Sequence, residues 1–220
     1  MCGRFAVTLP PDAMAQLFAA VPDNDLAAVP NYNVCPTVQI NVIRAGADRR
    51  RLVVMRWGFL PHWYKTKSDG PLLINARAET IAEKPAFRAA ARDRRCLIVS
   101  DGFYEWDRSG KDKLPWFIHR ADGAPLVMAG IWQDWAQGED QMTTCAIVTT
   151  ESTGRMAEIH HRIPVILDSQ DWAKWLGEEG PGAARLMTAA SDETIAMYRV
   201  GQEVNSNRAT GASLMQPLGT

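Results

Sequence analysis

Short segments of alternating apolar and polar residues follow one another along most of the chain, separated by turns rich in glycine, proline and charge. This alternation is typical of strands that bury one face. Residues 38–44 and 51–57 are two such segments, and the turn AGADR between them predicts a hairpin. Because few helical segments intervene, the pattern predicts an α+β fold, mainly antiparallel β and barrel-like, with peripheral helices. Further strands are predicted at 96–99, 116–119, 125–132 and 145–149.

Apolar residues spaced three and four apart predict helices outside this sheet. Thr8, followed by two prolines and an aspartate, is typical of a helix start, and Met14, Leu17 and Phe18 are expected to share the buried face. Ser and Gly at the two ends of a segment are typical of a helix cap and a helix stop. Further helical segments are predicted at 84–93, from Ser169 to Gly177 and at 183–190, and an exposed loop is predicted at 64–71.

The composition is that of an ordinary globular protein. The chain has 220 residues, 46% of them apolar and 22% charged, and we expect a single domain over 1–220. No apolar run reaches the roughly 18 residues that span a membrane. The start of the chain lacks the basic and apolar regions of a signal peptide, which predicts a cytoplasmic protein. The net charge of −1 excludes a general coat for duplex DNA, so any nucleic-acid contact is expected to be a local patch.

The four cysteines show no spacing typical of a metal site, and we expect neither a metal nor a cofactor. Cys96 and Cys145 each open an apolar run and are expected to be buried on strands. Cys35 is expected near a strand end without a role. Cys2 differs because removal of Met1 would leave one residue that carries both an α-amine and a thiol.

This 1,2-aminothiol has a specific reactivity. The amine has an ordinary pKa of about 7.7–8.0, so much of it is a neutral nucleophile near pH 7. The thiol has an ordinary pKa of about 8.5, and a cation such as Arg4 beside it would lower this pKa. An aldehyde can form an imine with the amine, after which the thiol closes a thiazolidine ring. On position alone, a Cys2 that merely follows Met1 remains the simpler interpretation.

Three other segments carry polar groups suited to catalysis. Asn75 and Arg77 alternate with apolar neighbours in LINARAET and are expected to share a strand face that suits an oxyanion or a phosphate. Glu105 lies between two aromatic residues, where desolvation would raise its pKa. His160 and His161 precede an apolar strand, and on a strand only one of the two could face a site. For each segment an ordinary structural role is the alternative.

Aromatic residues concentrate in RWGFLPHWYK. Trp57 is expected in the core, because it ends an apolar strand. Trp63 and Tyr64 border the polar loop, where exposed rings could stack on unpaired bases.

Taken together, the motifs MCGRFA, YNVCP, RWGFLPHW, LINARAET, SDGFYEW, IVTT, IHHRIPVIL and QPL resemble the SRAP family, the SOS response-associated peptidase-like proteins. The resemblance runs from Cys2 to about residue 217. It implies an abasic-site sensor that forms a covalent thiazolidine crosslink with single-stranded DNA and shields the lesion during the DNA damage response. Tyr64 and His161 depart from the residues common in the family, and the loop after Trp63 is longer than in some members.

The resemblance also implies roles for individual residues. Cys2 would be the nucleophile after loss of Met1, with Asn75 orienting its amine or the opened sugar. Glu105 would act as acid and base in sugar ring opening and crosslink reversal, and His160 would transfer protons during imine formation. The implied DNA contacts are phosphate contacts by Arg4, Arg77 and Arg162, stacking by Trp63 and a backbone contact at Thr149. We expect a monomer that joins the nucleoid when damaged DNA is bound.

Two other functions fit the same residues. A cysteine peptidase could use Cys2 and His160, either on added peptides or once on the Met1–Cys2 bond. A non-covalent reader of modified bases would need only the aromatic and arginine residues.

Overall fold

The computed structural model describes residues 2–219, and within this range strands predominate over short helices. The strands are β1 (Phe5–Val7), β2 (Ala20–Pro22), β3 (Asn31–Val34), β4 (Gln39–Arg44), β5 (Arg50–Trp57), β6 (Asn75–Arg77), β7 (Arg95–Ser100), β8 (Gly102–Asp107), β9 (Leu114–Arg120), β10 (Leu126–Gln137), β11 (Asp140–Glu151), β12 (Arg162–Pro164) and β13 (Ile195–Arg199). The α-helices are α1 (Pro11–Leu17), α2 (Arg88–Asp93), α3 (Gly154–Ile159) and α4 (Trp172–Leu176). Single 3₁₀ turns lie at Ser169–Asp171, Ala183–Leu186, Gln202–Asn205 and Ala212–Met215.

Five strands close into a barrel. The antiparallel order β11–β10–β7–β4–β5 is completed by a parallel pairing of β11 with β5, in which Cys145 lies opposite Trp57. Side chains that the alternation places inside, such as Val42 and Ile98, are fully buried. The predicted α+β class with a barrel-like, mainly antiparallel sheet is therefore confirmed, and so is the hairpin of β4 and β5.

A second sheet, in the order β13–β9–β8–β1–β3, packs beside the barrel. The two layers meet through apolar side chains, among them Phe5 and Trp57, whose ring centroids are 5.1 Å apart. This packing matters for function because β1 follows Cys2 and β8 carries Glu105.

Two short strands pair with the last part of β11, one on each side of Thr149. β6 runs parallel to it, with Arg77 opposite Thr149, and β12 runs antiparallel, with Arg162 opposite Glu151. One strand therefore holds the segments that carry Asn75 and His160, although these residues are far apart in the sequence.

The predicted helices are present but shorter than expected. α1 begins after Pro10, and the Thr8 hydroxyl bonds to Asp101 instead of capping the helix. Leu17 was wrongly placed on the buried face, since it is 44% exposed while Met14 and Phe18 are buried. The predicted segment 84–93 is α-helical only over α2, and 183–190 forms only one 3₁₀ turn.

The end of α4 follows the prediction more closely. Gly177 ends this helix in the left-handed conformation, at φ 87°, which glycine adopts without steric cost. Ser169 instead opens the preceding 3₁₀ turn and makes no side-chain cap bond. Among the described residues, no helix combines the length and apolar character that a membrane crossing requires.

Candidate active site

Cys2 lies three residues before the first residue of β1 and is fully buried. Its carbonyl oxygen accepts a hydrogen bond of 2.9 Å from Nδ2 of Asn75. Asn75 is itself fixed, because the preceding carbonyl of Ile74 accepts bonds from the Trp57 indole and the Ile147 amide, both at 3.0 Å. Oδ1 of Asn75 is buried and accepts no hydrogen bond from any residue between 2 and 219. One side-chain amide thus holds the start of the chain and still offers an acceptor.

The surroundings keep the Cys2 thiol protonated. Burial raises the pKa of Cys2 well above its ordinary value, and the nearby Glu105 carboxylate raises it further. A reaction at this sulfur therefore needs a neighbouring group that can accept its proton.

Glu105 projects from β8 toward the barrel and is 2% exposed. Strand alternation places it on the face of the buried Phe103, whereas Tyr104 points to a separate cluster on the other side of the sheet. Its Oε1 accepts a bond of 3.2 Å from the Trp106 amide, and its Oε2 lies 3.8 Å from Nδ1 of His160. A buried carboxyl beside an imidazole is an arrangement suited to proton transfer.

His160 follows the last residue of α3, and its side chain is 15% exposed. Its Nδ1 accepts a hydrogen bond of 3.0 Å from the Arg162 amide. Burial lowers the pKa of His160, although the Glu105 carboxylate acts in the opposite direction. The ring is therefore held in the neutral form near pH 7.

Of the two adjacent histidines, His160 lies against Glu105, whereas His161 is exposed. Their rings stack with centroids 4.4 Å apart and an interplanar angle of 26°. The alternation argument does not apply here, because both residues lie in the connection between α3 and β12 and neither lies on a strand.

Arg162 is 7% exposed and bound on several sides. It donates to both carboxylate oxygens of Glu79, at 2.8 and 2.9 Å, and to the Thr149 carbonyl, at 2.7 Å. Thr149 is buried, and its carbonyl also accepts a bond from the Ala78 amide. The phosphate and backbone contacts proposed for Arg162 and Thr149 stay predictions, while in this structure both residues tie β11 to β12.

The other residues predicted to contact DNA lie nearer the surface. Arg77 is exposed on β6, and Trp63 is 47% exposed in the connection between β5 and β6. Arg4 donates to Oδ1 of Asn33 at 2.6 Å and lies over the Trp106 ring, 5.6 Å from its centroid. Their contacts with DNA also stay predictions.

Glu79 was missed by the sequence interpretation, although it lies within LINARAET. Strand alternation draws attention to Asn75 and Arg77, but β6 ends at Arg77, and the partner of Glu79 is 83 residues away. Among residues 2–219 there is no cluster of three or more side chains suited to metal binding.

The fold and this site define a barrel protein with a second sheet packed beside it, in which a buried cysteine near the start of the chain contacts Asn75. The model of the SOS response associated peptidase (SRAP) family matches residues 1–207, and the chain belongs to this family. It is 35% identical to the abasic site processing protein YoaM of Bacillus subtilis, over 98% of this chain and 97% of that protein. It is 31% identical to the abasic site processing protein YedK of Escherichia coli, over 99% of this chain and 100% of that protein.

Solved structures show the same fold. A protein from Bacteroides thetaiotaomicron matches with a TM-score of 0.87 and 25% identity, covering 99% of this chain and 100% of that one. A phage-related protein from Bordetella bronchiseptica matches with a TM-score of 0.73 and 28% identity, covering 95% and 99%. The resemblance seen in the sequence motifs is thereby confirmed.

Proposed function

We propose that this protein processes abasic sites in single-stranded DNA by forming a thiazolidine crosslink through Cys2. The observation that carries the proposal is the bond from Asn75 to the Cys2 carbonyl, made beside the buried Glu105 and His160. The names of the family relatives, abasic site processing proteins, support the same substrate.

The proposed chemistry begins with hydrolysis of the Met1–Cys2 bond, which releases the α-amine; Met1 itself lies outside the described residues. The amine attacks C1′ of the ring-opened deoxyribose, and loss of water gives an imine. The thiol then adds to the imine carbon and its proton passes to the nitrogen. The product is a five-membered thiazolidine that joins the protein to the DNA.

The buried groups supply the proton transfers. Glu105 would remove the proton of the sugar hydroxyl and return one to the ring oxygen as the ring opens. Neutral His160 would accept a proton from the attacking amine and assist the loss of water. Asn75 holds the Cys2 carbonyl, and its open Oδ1 would accept a hydrogen bond from the released amine.

A crosslinking assay tests the proposal. Single-stranded DNA with one abasic site is incubated with the protein and separated on a denaturing gel. We expect a shifted band with the wild type and with Cys35→Ser, a control at a half-buried cysteine outside this site. Cys2→Ser should lose the stable band and retain only an imine that borohydride traps. Absence of the wild-type band, or an undiminished band in Cys2→Ser, contradicts the proposal.

The same preparation separates the two alternatives. A general peptidase predicts turnover of added peptides, whereas a buried thiol with a raised pKa is poorly suited to this reaction. A non-covalent reader predicts that Cys2→Ala binds modified DNA as well as the wild type does and that no crosslink forms.

Arg77 provides a test of the DNA contact, because it is exposed on the strand that carries Asn75. Arg77→Ala should weaken binding to single-stranded DNA. The slope of the logarithm of the binding constant against the logarithm of the salt concentration should become less negative by about 0.7, which corresponds to the loss of one phosphate contact. Arg49→Ala, an exposed arginine on the β4–β5 turn, is the matched control. An equal change in both variants would exclude a specific contact at Arg77.

A further inference from the structure

We propose that Glu79 is a positioning residue for His160: its salt bridge with Arg162 holds the backbone that fixes which nitrogen of the imidazole carries the proton. This inference rests on the proposed function for its kinetic consequence, but its structural part can be measured without any substrate.

The salt bridge of Glu79 with Arg162 is reinforced by hydrogen bonds from the end of β11. The two carboxylate oxygens of Glu79 accept hydrogen bonds from the two terminal nitrogens of Arg162. Oε1 of Glu79 also accepts a bond of 3.0 Å from the Glu151 amide and one of 3.3 Å from the Thr150 hydroxyl. The Arg162 side chain is buried, whereas that of Glu79 is 43% exposed. The carboxylate therefore anchors the start of β12 to the end of β11 from the surface.

The backbone of Arg162 contacts the imidazole of His160. The Arg162 amide donates to Nδ1 of His160 at 3.0 Å, and an amide N–H can only donate. Nδ1 must then carry the lone pair, so the proton of the neutral ring is on Nε2. The Arg162 carbonyl, 3.3 Å from Nδ1, would accept a bond only from the other tautomer, and at a longer distance.

Other side chains also face the His160 ring. Glu105 approaches Nδ1 from β8, and the His161 ring stacks on one face. Glu105 would draw a proton to Nδ1 if the Arg162 amide moved away. The salt bridge between Glu79 and Arg162 therefore keeps Nδ1 of His160 as a hydrogen-bond acceptor. Nε2 is then the nitrogen that donates and accepts protons in the reaction.

Nitrogen NMR of ¹⁵N-histidine protein tests this assignment, with His160 identified by its absence in H160Q. In the wild type at pH 7.5 we expect His160 to be protonated on Nε2 and unprotonated on Nδ1. Glu79→Ala should give a mixture of the two His160 tautomers. Glu79→Gln retains one acceptor oxygen and should give a smaller fraction of the Nδ1-protonated tautomer than Glu79→Ala does. Glu151→Gln removes an exposed carboxylate at the end of β11, keeps the backbone amide that contacts Glu79, and should leave the wild-type signature.

Crosslinking kinetics supply the second readout. Glu79→Ala should lower the rate constant at saturating DNA on the order of tenfold, as for a weakened acid–base group. The half-saturating DNA concentration should stay constant or fall, because a negative charge near the DNA is removed. A general loss of structure would instead weaken binding and lower the rate together.

The outcomes are distinct. A wild-type His160 protonated on Nδ1 overturns the inference, and so does a Glu79→Ala variant with the tautomer and rate of Glu151→Gln. If Glu79→Ala does not fold, Glu79→Gln and the wild-type tautomer decide. A wild type that forms no crosslink defeats the proposed function, whereas the tautomer measurement still tests the positioning role.

Discussion

Asn75 acts on Cys2 through a single hydrogen bond to a buried carbonyl. In Asn75→Ala this carbonyl loses its donor, and the start of the chain is no longer held in line with Glu105 and His160. We expect the crosslinking rate to fall about 10- to 100-fold, as for a displaced reacting group. The free energy of unfolding should fall by only about 1 kcal/mol. Rates on denaturing gels and urea unfolding measure the two effects.

Asn207→Ala is the matched control, since Asn207 is an exposed asparagine. An Asn75→Ala variant that crosslinks as fast as this control would show that the amide does not position Cys2.

At this scale, local patterns revealed residues but not their partners. Alternation in LINARAET predicts that Asn75 and Arg77 share a face, and β6 bears this out. The acceptor role of His160 Nδ1 depends on the backbone two residues later, and the salt bridge of Glu79 depends on a residue 83 positions away. Neither partnership leaves a periodic signal in the sequence.

At the scale of elements, the Glu79–Arg162 pair fastens β12 to β11. The salt bridge lowers the pKa of Glu79 from 4.5 to about 2. Because the folded-state value is the lower one, this stabilisation is complete above about pH 4.5 and is lost as the pH falls toward about 2. Glu79→Gln should therefore be less stable than the wild type at pH 7, by about 1 kcal/mol after allowance for solvent screening.

Urea unfolding at several pH values between 7 and 2.5 measures this difference. The two proteins should converge in stability at the acid end, while Glu151→Gln follows the wild type throughout. A difference between wild type and Glu79→Gln that stays constant with pH would contradict the assigned salt bridge.

Elements with a strong pattern were predictable, and those fixed by tertiary contacts were not. The hairpin of β4 and β5 follows from alternation around a turn. β10 and β11 extend beyond the predicted 125–132 and 145–149, because pairing with each other continues through polar residues. β13 was missed, since its IAMYR sequence becomes a strand through pairing with β9.

For the whole molecule, closure of the barrel requires close packing inside it. A Cβ added at Gly130 would lie 2.8 Å from Sγ of Cys96 and 3.0 Å from Cδ1 of Ile98, both across the pairing of β10 with β7. Gly130→Ala should therefore destabilise the protein by about 1–3 kcal/mol. For a chain of this size Tm should fall by roughly 2–10 °C.

Gly110→Ala is the control, because a Cβ there meets nothing within 4 Å. Thermal unfolding followed by circular dichroism compares the two. Equal Tm values for both variants would show that the barrel interior at Gly130 can accommodate a methyl group without strain.

The barrel seam is the feature of the whole molecule that no local pattern indicates. Alternation predicts antiparallel neighbours, but the ring closes through a parallel contact between β5 and β11, whose paired residues are almost 90 positions apart, as at Trp57 and Cys145. This pairing forms only when all five strands are arranged in the barrel, so no single segment of the sequence predicts it.

The placement of β11 also has a consequence for biosynthesis. Cys2 leaves the ribosome first, but β11 must be made before Asn75 is fixed, and His160 follows β11 in the chain. A nascent polypeptide therefore carries an unburied Cys2 for most of translation, because Glu105 and His160 are synthesised much later. Almost three-quarters of the chain must be made before the buried surroundings of this thiol can form.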